Sequence, residues 1–127
     1  MIRLIDRRAA SANSVELQDA KQLVELILGM RDAKGVCEVV LSDRKLLIGI
    51  SPLWGFVQQS PLDDGPPYKM AVVATVDRAE GDYDFALDGG VTSVPLRYCL
   101  SSDVVVQMVT TFFETGTPPP DQLWEEI

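Results

Sequence analysis

The stretch that decides the fold runs Val36-Cys37-Glu38-Val39-Val40-Leu41, then Ser42-Asp43-Arg44, then Lys45-Leu46-Leu47-Ile48-Gly49-Ile50. Two runs rich in β-branched and aliphatic residues flank three polar ones, the pattern of a β-hairpin. A third β-favouring run follows around Trp54-Gly55-Phe56-Val57, so the middle of the chain reads as a meander of adjacent strands. Short links between neighbouring strands favour antiparallel pairing.

Upstream, Asp19 precedes Ala20-Lys21-Gln22-Leu23-Val24-Glu25-Leu26-Ile27-Leu28. Its carboxylate suits the free N–H groups of a helix start, and Ala20, Leu23, Val24 and Ile27 form one apolar stripe. The spacing predicts a helix ending near Met30, with a short strand before it over Ser14–Gln18. Downstream, Pro61, Gly65, Pro66 and Pro67 forbid regular structure between Ser60 and Tyr68. Residues 70–76, almost wholly apolar, predict a strand buried on both faces.

Asp82-Tyr83-Asp84-Phe85-Ala86-Leu87-Asp88 alternates with period two. Tyr83, Phe85 and Leu87 are expected to face the core and Asp82, Asp84 and Asp88 the solvent, with Gly89-Gly90 ending the strand. Val94–Cys99 predicts a further strand, at an edge or starting near Pro95. A second helix is expected with Ser101 or Ser102 as its cap, and Asp103 suits its positive end. Its stripe is Val105, Met108, Val109, Phe112 and Phe113, and Gly116 followed by Pro118-Pro119-Pro120 stops it. Residues 122–125 offer a last short strand. The expectation is an α+β fold in one domain over residues 1–127: an antiparallel sheet of about five to six strands with two main helices packed on one face.

The 127 residues are 46% hydrophobic and 24% charged, enough apolar surface to offset chain entropy. Charges interrupt the N-terminal stretch Met1–Asp6, which does not read as a signal peptide. The longest apolar run, Leu46–Ile50, falls far short of the roughly 20 residues that cross a bilayer. A cytoplasmic protein without membrane attachment is expected. Cys37 and Cys99 sit in apolar runs and read as buried, reduced hydrophobes.

The chain contains no histidine. That removes Ser-His and Cys-His nucleophile pairs, the usual neutral-pH base and most zinc ligand sets. Carboxylate-only chemistry survives, and so does carboxylate binding of a hard metal. Without a Cys-x-x-Cys or a phosphate-cradling glycine loop, however, no cofactor and no metal is expected. The net charge is −8, and it is unevenly placed. Residues 1–76 hold nine acidic and nine basic side chains; residues 77–127 hold ten acidic ones against Arg78 and Arg97 alone. Such a field repels nucleic acid and anionic membrane and attracts basic proteins, although it also serves plain solubility.

From Asp82 onward the chain resembles the first, large immunity-protein family of bacterial polymorphic toxin systems, which includes inhibitors of secreted nucleic-acid deaminases and nucleases. The resemblance rests on Asp84-Phe85, the Gly89-Gly90 turn and Val94-Pro95-Leu96-Arg97-Tyr98. It continues through Phe112-Phe113-Glu114-Thr115-Gly116, a proline pair and Leu123-Trp124-Glu125. About a third of the chain carries it; upstream only the first helix and the following hairpin correspond. The family pattern has a basic residue between the glycine and the proline after the last helix, where this chain has Thr117. The resemblance implies a non-catalytic bacterial inhibitor that neutralises a cognate secreted toxin by binding it; the unbound chain is expected to be monomeric.

Several residues then have two readings. Asp82, Asp84 and Asp88 form either a solvated face near Arg78 or Lys69, or an electronegative surface matched to the basic cleft of a nucleic-acid-acting toxin. Asp63 and Asp64 read as turn formers, as a carboxylate pair, or, with Tyr68, as a loop that probes a partner's cleft. Trp54 reads as core or as an interface anchor. The toxin-contacting region is expected to combine the loop Pro61–Tyr68 with the outer face of Asp82–Asp88. The alternatives of a different class are a small carboxylate enzyme and a structural or assembly subunit.

Overall fold

A computed structural model describes residues 2–8, 13–72 and 81–127. In chain order the elements are β1 (Arg3–Asp6), β2 (Asn13–Glu16), α1 (Ala20–Gly29), β3 (Val36–Val40), β4 (Lys45–Ile50), β5 (Trp54–Ser60) and β6 (Lys69–Val72). There follow β7 (Asp82–Leu87), β8 (Gly90–Pro95), a 3-10 turn (Leu96–Tyr98), β9 (Leu100–Ser101), α2 (Ser102–Thr115) and β10 (Leu123–Glu126).

The hairpin read from residues 36–50 forms with Val36 opposite Gly49 and Val40 opposite Lys45, and β5 extends the meander on its far side. Around this nucleus the main sheet takes the order β10-β6-β5-β4-β3-β1-β2, and β9 pairs the end of β5 that β6 leaves open. Every pairing in it is antiparallel. The α+β class and the two covering helices are as expected; the sheet, with eight strands among the described residues, exceeds the expected five to six.

Both helices lie on one face. Leu23 and Ile27 of α1 and Val105, Met108, Val109 and Phe112 of α2 share one buried cluster with Leu4, Val39, Leu46, Ile48, Ile50 and Val57 of the sheet. Asp19 caps α1 through a 2.8 Å bond from the Gln22 N–H to its carboxylate. Ser101 occupies the capping position of α2 but makes no side-chain cap bond, and the Ser102 hydroxyl bonds the Pro52 carbonyl instead. Gly116 ends α2 at φ 77°, a backbone that side chains with a Cβ disfavour, and its N–H returns to the Phe112 carbonyl at 2.8 Å. Trp124 of β10 packs edge-on against Phe112 at 5.9 Å, which holds the C-terminal strand on the helix layer.

The opposite face of the sheet carries a third layer. β7 and β8 form a separate two-stranded sheet across it. Phe85 and Val94 reach down to join Val36, Phe56, Met70 and Cys99 in a second cluster. Phe85 meets Phe56 edge-to-face at 5.0 Å, and a Cβ on Gly49 would stand 2.2 Å from the Phe56 ring. Glycine at 49 therefore lets the aromatic lie flat on the sheet. Cys37 belongs to the helix-side cluster and Cys99 to the hairpin-side one, so the sheet separates the two thiols. Burial pushes the Cys37 thiol pKa far up, as it must for a thiol held neutral among apolar groups.

Two assignments change. The strand expected over Val94–Cys99 lies earlier, over Gly90–Pro95, and Leu96–Tyr98 coils into a 3-10 turn instead. β1 has no clear local signal and runs one strand in from the edge of the sheet, between β3 and β2. The apolar run 70–76 is strand through Val72, with Met70 and Ala71 buried in different clusters, while residues 73–76 and Arg78 lie outside the described residues.

Candidate functional site

The β7–β8 hairpin turns on Asp88 and Gly89, both at positive φ (53° and 82°). An Asp-Gly pair with this backbone is the type I′ turn that matches strand twist, so Gly89-Gly90 does not end a strand but helps to join two. Asp88 is consequently a turn residue rather than a member of the strand's outer row. Its carboxylate takes two bonds from Arg7, Nε at 2.8 Å and Nη2 at 2.7 Å, while Arg7 also pairs with Glu38 of β3. The guanidinium bonds hold the Asp88 carboxyl below its usual range. Backbone bonds complete the anchor: the Asp88 N–H donates to the Arg7 carbonyl at 2.6 Å and the Ala86 N–H to the Lys34 carbonyl at 2.8 Å.

The hairpin's outer face is as the alternation predicts. Asp82 and Asp84 are exposed, and the Ser93 hydroxyl donates to Asp84 at 2.6 Å. The inner face carries Tyr83 and Phe85, with rings 5.2 Å apart, and the Lys34 ammonium stands 4.7 Å over the Tyr83 ring.

In the loop after β5, Asp63 and Asp64 do not act as a pair. Asp63 accepts the Gly65 N–H at 2.9 Å, an Asx turn, and Asp64 pairs with Lys45 at 2.7 Å. The Tyr68 hydroxyl donates to the Asp64 carbonyl at 2.5 Å, which folds the loop on itself. Lys45 opens β4 whereas Val36, whose carbonyl takes the Arg7 N–H, lies opposite Gly49. The Asp64 and Asp88 ion pairs thus sit about 13 Å apart along the strands. The link between loop and hairpin is indirect: Ile127 donates its N–H to the Tyr68 carbonyl at 2.9 Å and lines a groove that runs beside β8. Trp54 is half-buried and packs against the hairpin-side cluster; its neighbour Leu53, not singled out by the sequence, is 62% exposed.

Three of the segments that carried the family resemblance, those around Tyr98, Phe112 and Trp124, meet in space. The Tyr98 hydroxyl donates to Glu125 at 3.0 Å, Arg97 forms an ion pair with the same carboxylate, and the Arg97 guanidinium stacks on the Tyr98 ring at 4.8 Å. Next to Glu125, Trp124 rests on Phe112 near the end of α2. The order of motifs along the chain therefore reflects one packing unit that fastens β10 to the hairpin side and the helix side at once. The family model of immunity protein Imm1 matches residues 2–126. The chain belongs to the Imm1 immunity-protein family. Membership extends well beyond the third of the chain that carries the motifs and takes in β1 to β6. No curated protein sequence matches this Imm1 chain. Immunity proteins of toxin systems neutralise toxins, which points to a protein-binding inhibitor rather than an enzyme. Among the described residues no group of three or more Cys, Asp or Glu side chains is placed to hold a metal ion, and no helix is long and apolar enough to cross a membrane.

Proposed function

We propose that this Imm1 protein binds and neutralises a cognate secreted bacterial toxin that acts on nucleic acid, a deaminase or a nuclease, inside the cytoplasm of the cell that makes both. The family match over residues 2–126 carries the reading. The charge distribution supports the finer part. A toxin that grips nucleic acid needs a basic cleft, and this chain places its whole negative excess in residues 77–127. Asp82 and Asp84 stand exposed on the outer face of the hairpin and, among the described residues, form no ion pair to an arginine that a basic surface would first have to break. Asp63, Asp64, Tyr68 and Trp54 form secondary contact candidates. Of these, Asp64 would have to exchange Lys45 for a toxin cation, so its net gain is small.

The test is co-expression with the toxin domain encoded beside this gene. That domain alone should stop growth of a host cell, and this chain should restore it and bind the purified domain with a one-to-one stoichiometry. A toxin that stays active in the presence of excess purified chain would remove the reading.

A further inference from the structure

We infer that the outer edge of β8 receives an extended segment of the toxin as an added strand, and that this segment alternates apolar with basic side chains. The inference rests on the toxin-binding reading and specifies where and how contact is made.

β8 pairs with β7 on one side; on the other, among the described residues, it pairs with nothing. The Ala86 N–H points away from β8, to the Lys34 carbonyl. Its cross-strand partner Val91 therefore occupies a position where the two strands exchange no bonds, and by the period of two so do Ser93 and Pro95. The N–H and C=O groups of Val91 and Ser93 consequently point outward from the hairpin. Pro95, at the next outward position, leaves the β7 ladder intact but offers an added strand no donor, so the available ladder is that of Val91 and Ser93. The edge is held rigid by the Arg7–Asp88 anchor at one end and by the second core cluster beneath it. Protein sheets ordinarily protect such an edge with lysine, proline, a bulge or a covering loop, and in β8 Pro95 blunts only the far end. Here its side chains are Val91, 69% exposed, and Ser93.

Beside this edge lies a groove of about 360 Å³. Leu47, Phe56 and Met70 form its apolar floor, Gln58 contributes the polar contact, and Tyr98 and Ile127 close the far side. A strand laid along β8 sends alternate side chains into this groove and the others outward. The inward ones meet Leu47, Phe56 and Met70 and must be apolar. The outward ones stand two strand spacings, roughly 9.6 Å, from the Asp84 row, within reach of lysine or arginine. Charge also argues against a second copy of this chain as the occupant, because pairing β8 with β8 would bring Asp82 and Asp84 of both copies onto one face.

The test uses the toxin domain encoded beside this gene and two matched pairs, Val91→Pro with Val91→Ala and Ser93→Pro with Ser93→Ala. Each proline removes one outward N–H without touching the β7 ladder, as Pro95 already does; each alanine keeps the N–H and controls for the side chain. Each proline variant should bind the toxin at least tenfold more weakly than its alanine partner. In the unmutated complex, amide exchange at Val91 and Ser93 should slow at least tenfold relative to the free chain, a readout that needs no variant to fold. Equal affinities within each pair, or unchanged exchange at both amides, would overturn the added strand while leaving the toxin-binding reading intact. No binding by the unmutated chain overturns that reading instead, and the inference with it. A dimer of the free chain that Val91→Pro dissolves would give the edge to a second copy and also overturn the proposal.

Discussion

Phe112 shows how much one side chain organises. It is fully buried, it lies in the α2 stripe, and its ring meets Trp124 edge-on, so the last strand and the last helix share it. Phe112→Ala leaves a cavity beneath Trp124 as well as losing its own burial, and should destabilise the chain by about 3–5 kcal/mol in urea unfolding. A loss under about 1 kcal/mol would mean that the stripe is not core. The aspartates teach the converse. Asp63, Asp64, Asp82, Asp84 and Asp88 look alike in the sequence, yet Asp63 caps a turn and Asp64 and Asp88 are tied to Lys45 and Arg7. Among the described residues Asp84 accepts only from the neutral Ser93, and Asp82 is exposed beside it. A carboxylate already holding a cation contributes little to a new partner, so the proposed toxin-facing carboxylates reduce to Asp82 and Asp84.

At the scale of elements, the β7–β8 hairpin is a lid fastened to the sheet by side chains and by the Asp88-Gly89 turn. Its ionic fastening depends on pH in a definite sense. The Asp88 carboxyl is held below its ordinary value by Arg7, and Asp6 by Arg8. A group with a lowered folded value stabilises the fold above its unfolded pKa of about 3.9, and loses that contribution as pH falls through the folded value. Stability should therefore drop as pH is lowered below about 4. Asp88→Asn, which keeps a residue that tolerates positive φ, should be less stable at neutral pH and should lose less on acidification. Urea midpoints between pH 2 and pH 7 measure both effects; parallel curves for the two proteins would show that the Arg7 pair is inert.

At the scale of the molecule, three layers divide the labour: the helices stabilise, the sheet joins, and the hairpin faces outward with Asp82 and Asp84 exposed. Long-range charge acts chiefly on encounter. Replacing Asp82 and Asp84 together by Asn should slow association with the toxin domain several-fold and flatten its dependence on salt, with dissociation much less affected. Association kinetics at two ionic strengths decide the matter, since an unchanged rate and slope would make that face a solvated surface only.

Local chemistry alone determined the kinds of element and most of their limits. The Asp19 cap, the stripe through Phe112, the Gly116 stop and the alternation of Asp82–Leu87 are each written within a few residues, because helix and strand periods are local properties. The Asp88-Gly89 pair was legible too, as a turn signal between alternating strands, and reading it as a strand end displaced β8 by several residues. What only the tertiary structure decided is who neighbours whom. β1 between β3 and β2, β10 beside β6 and the hairpin laid across the second face all depend on pairings between residues far apart in sequence. Every residue type but proline offers the same backbone donor and acceptor, so no local pattern encodes which strands pair. The open edge of β8 follows from that arrangement: which side of a strand is left unpaired is a property of the assembled sheet, not of the six residues Gly90–Pro95 themselves.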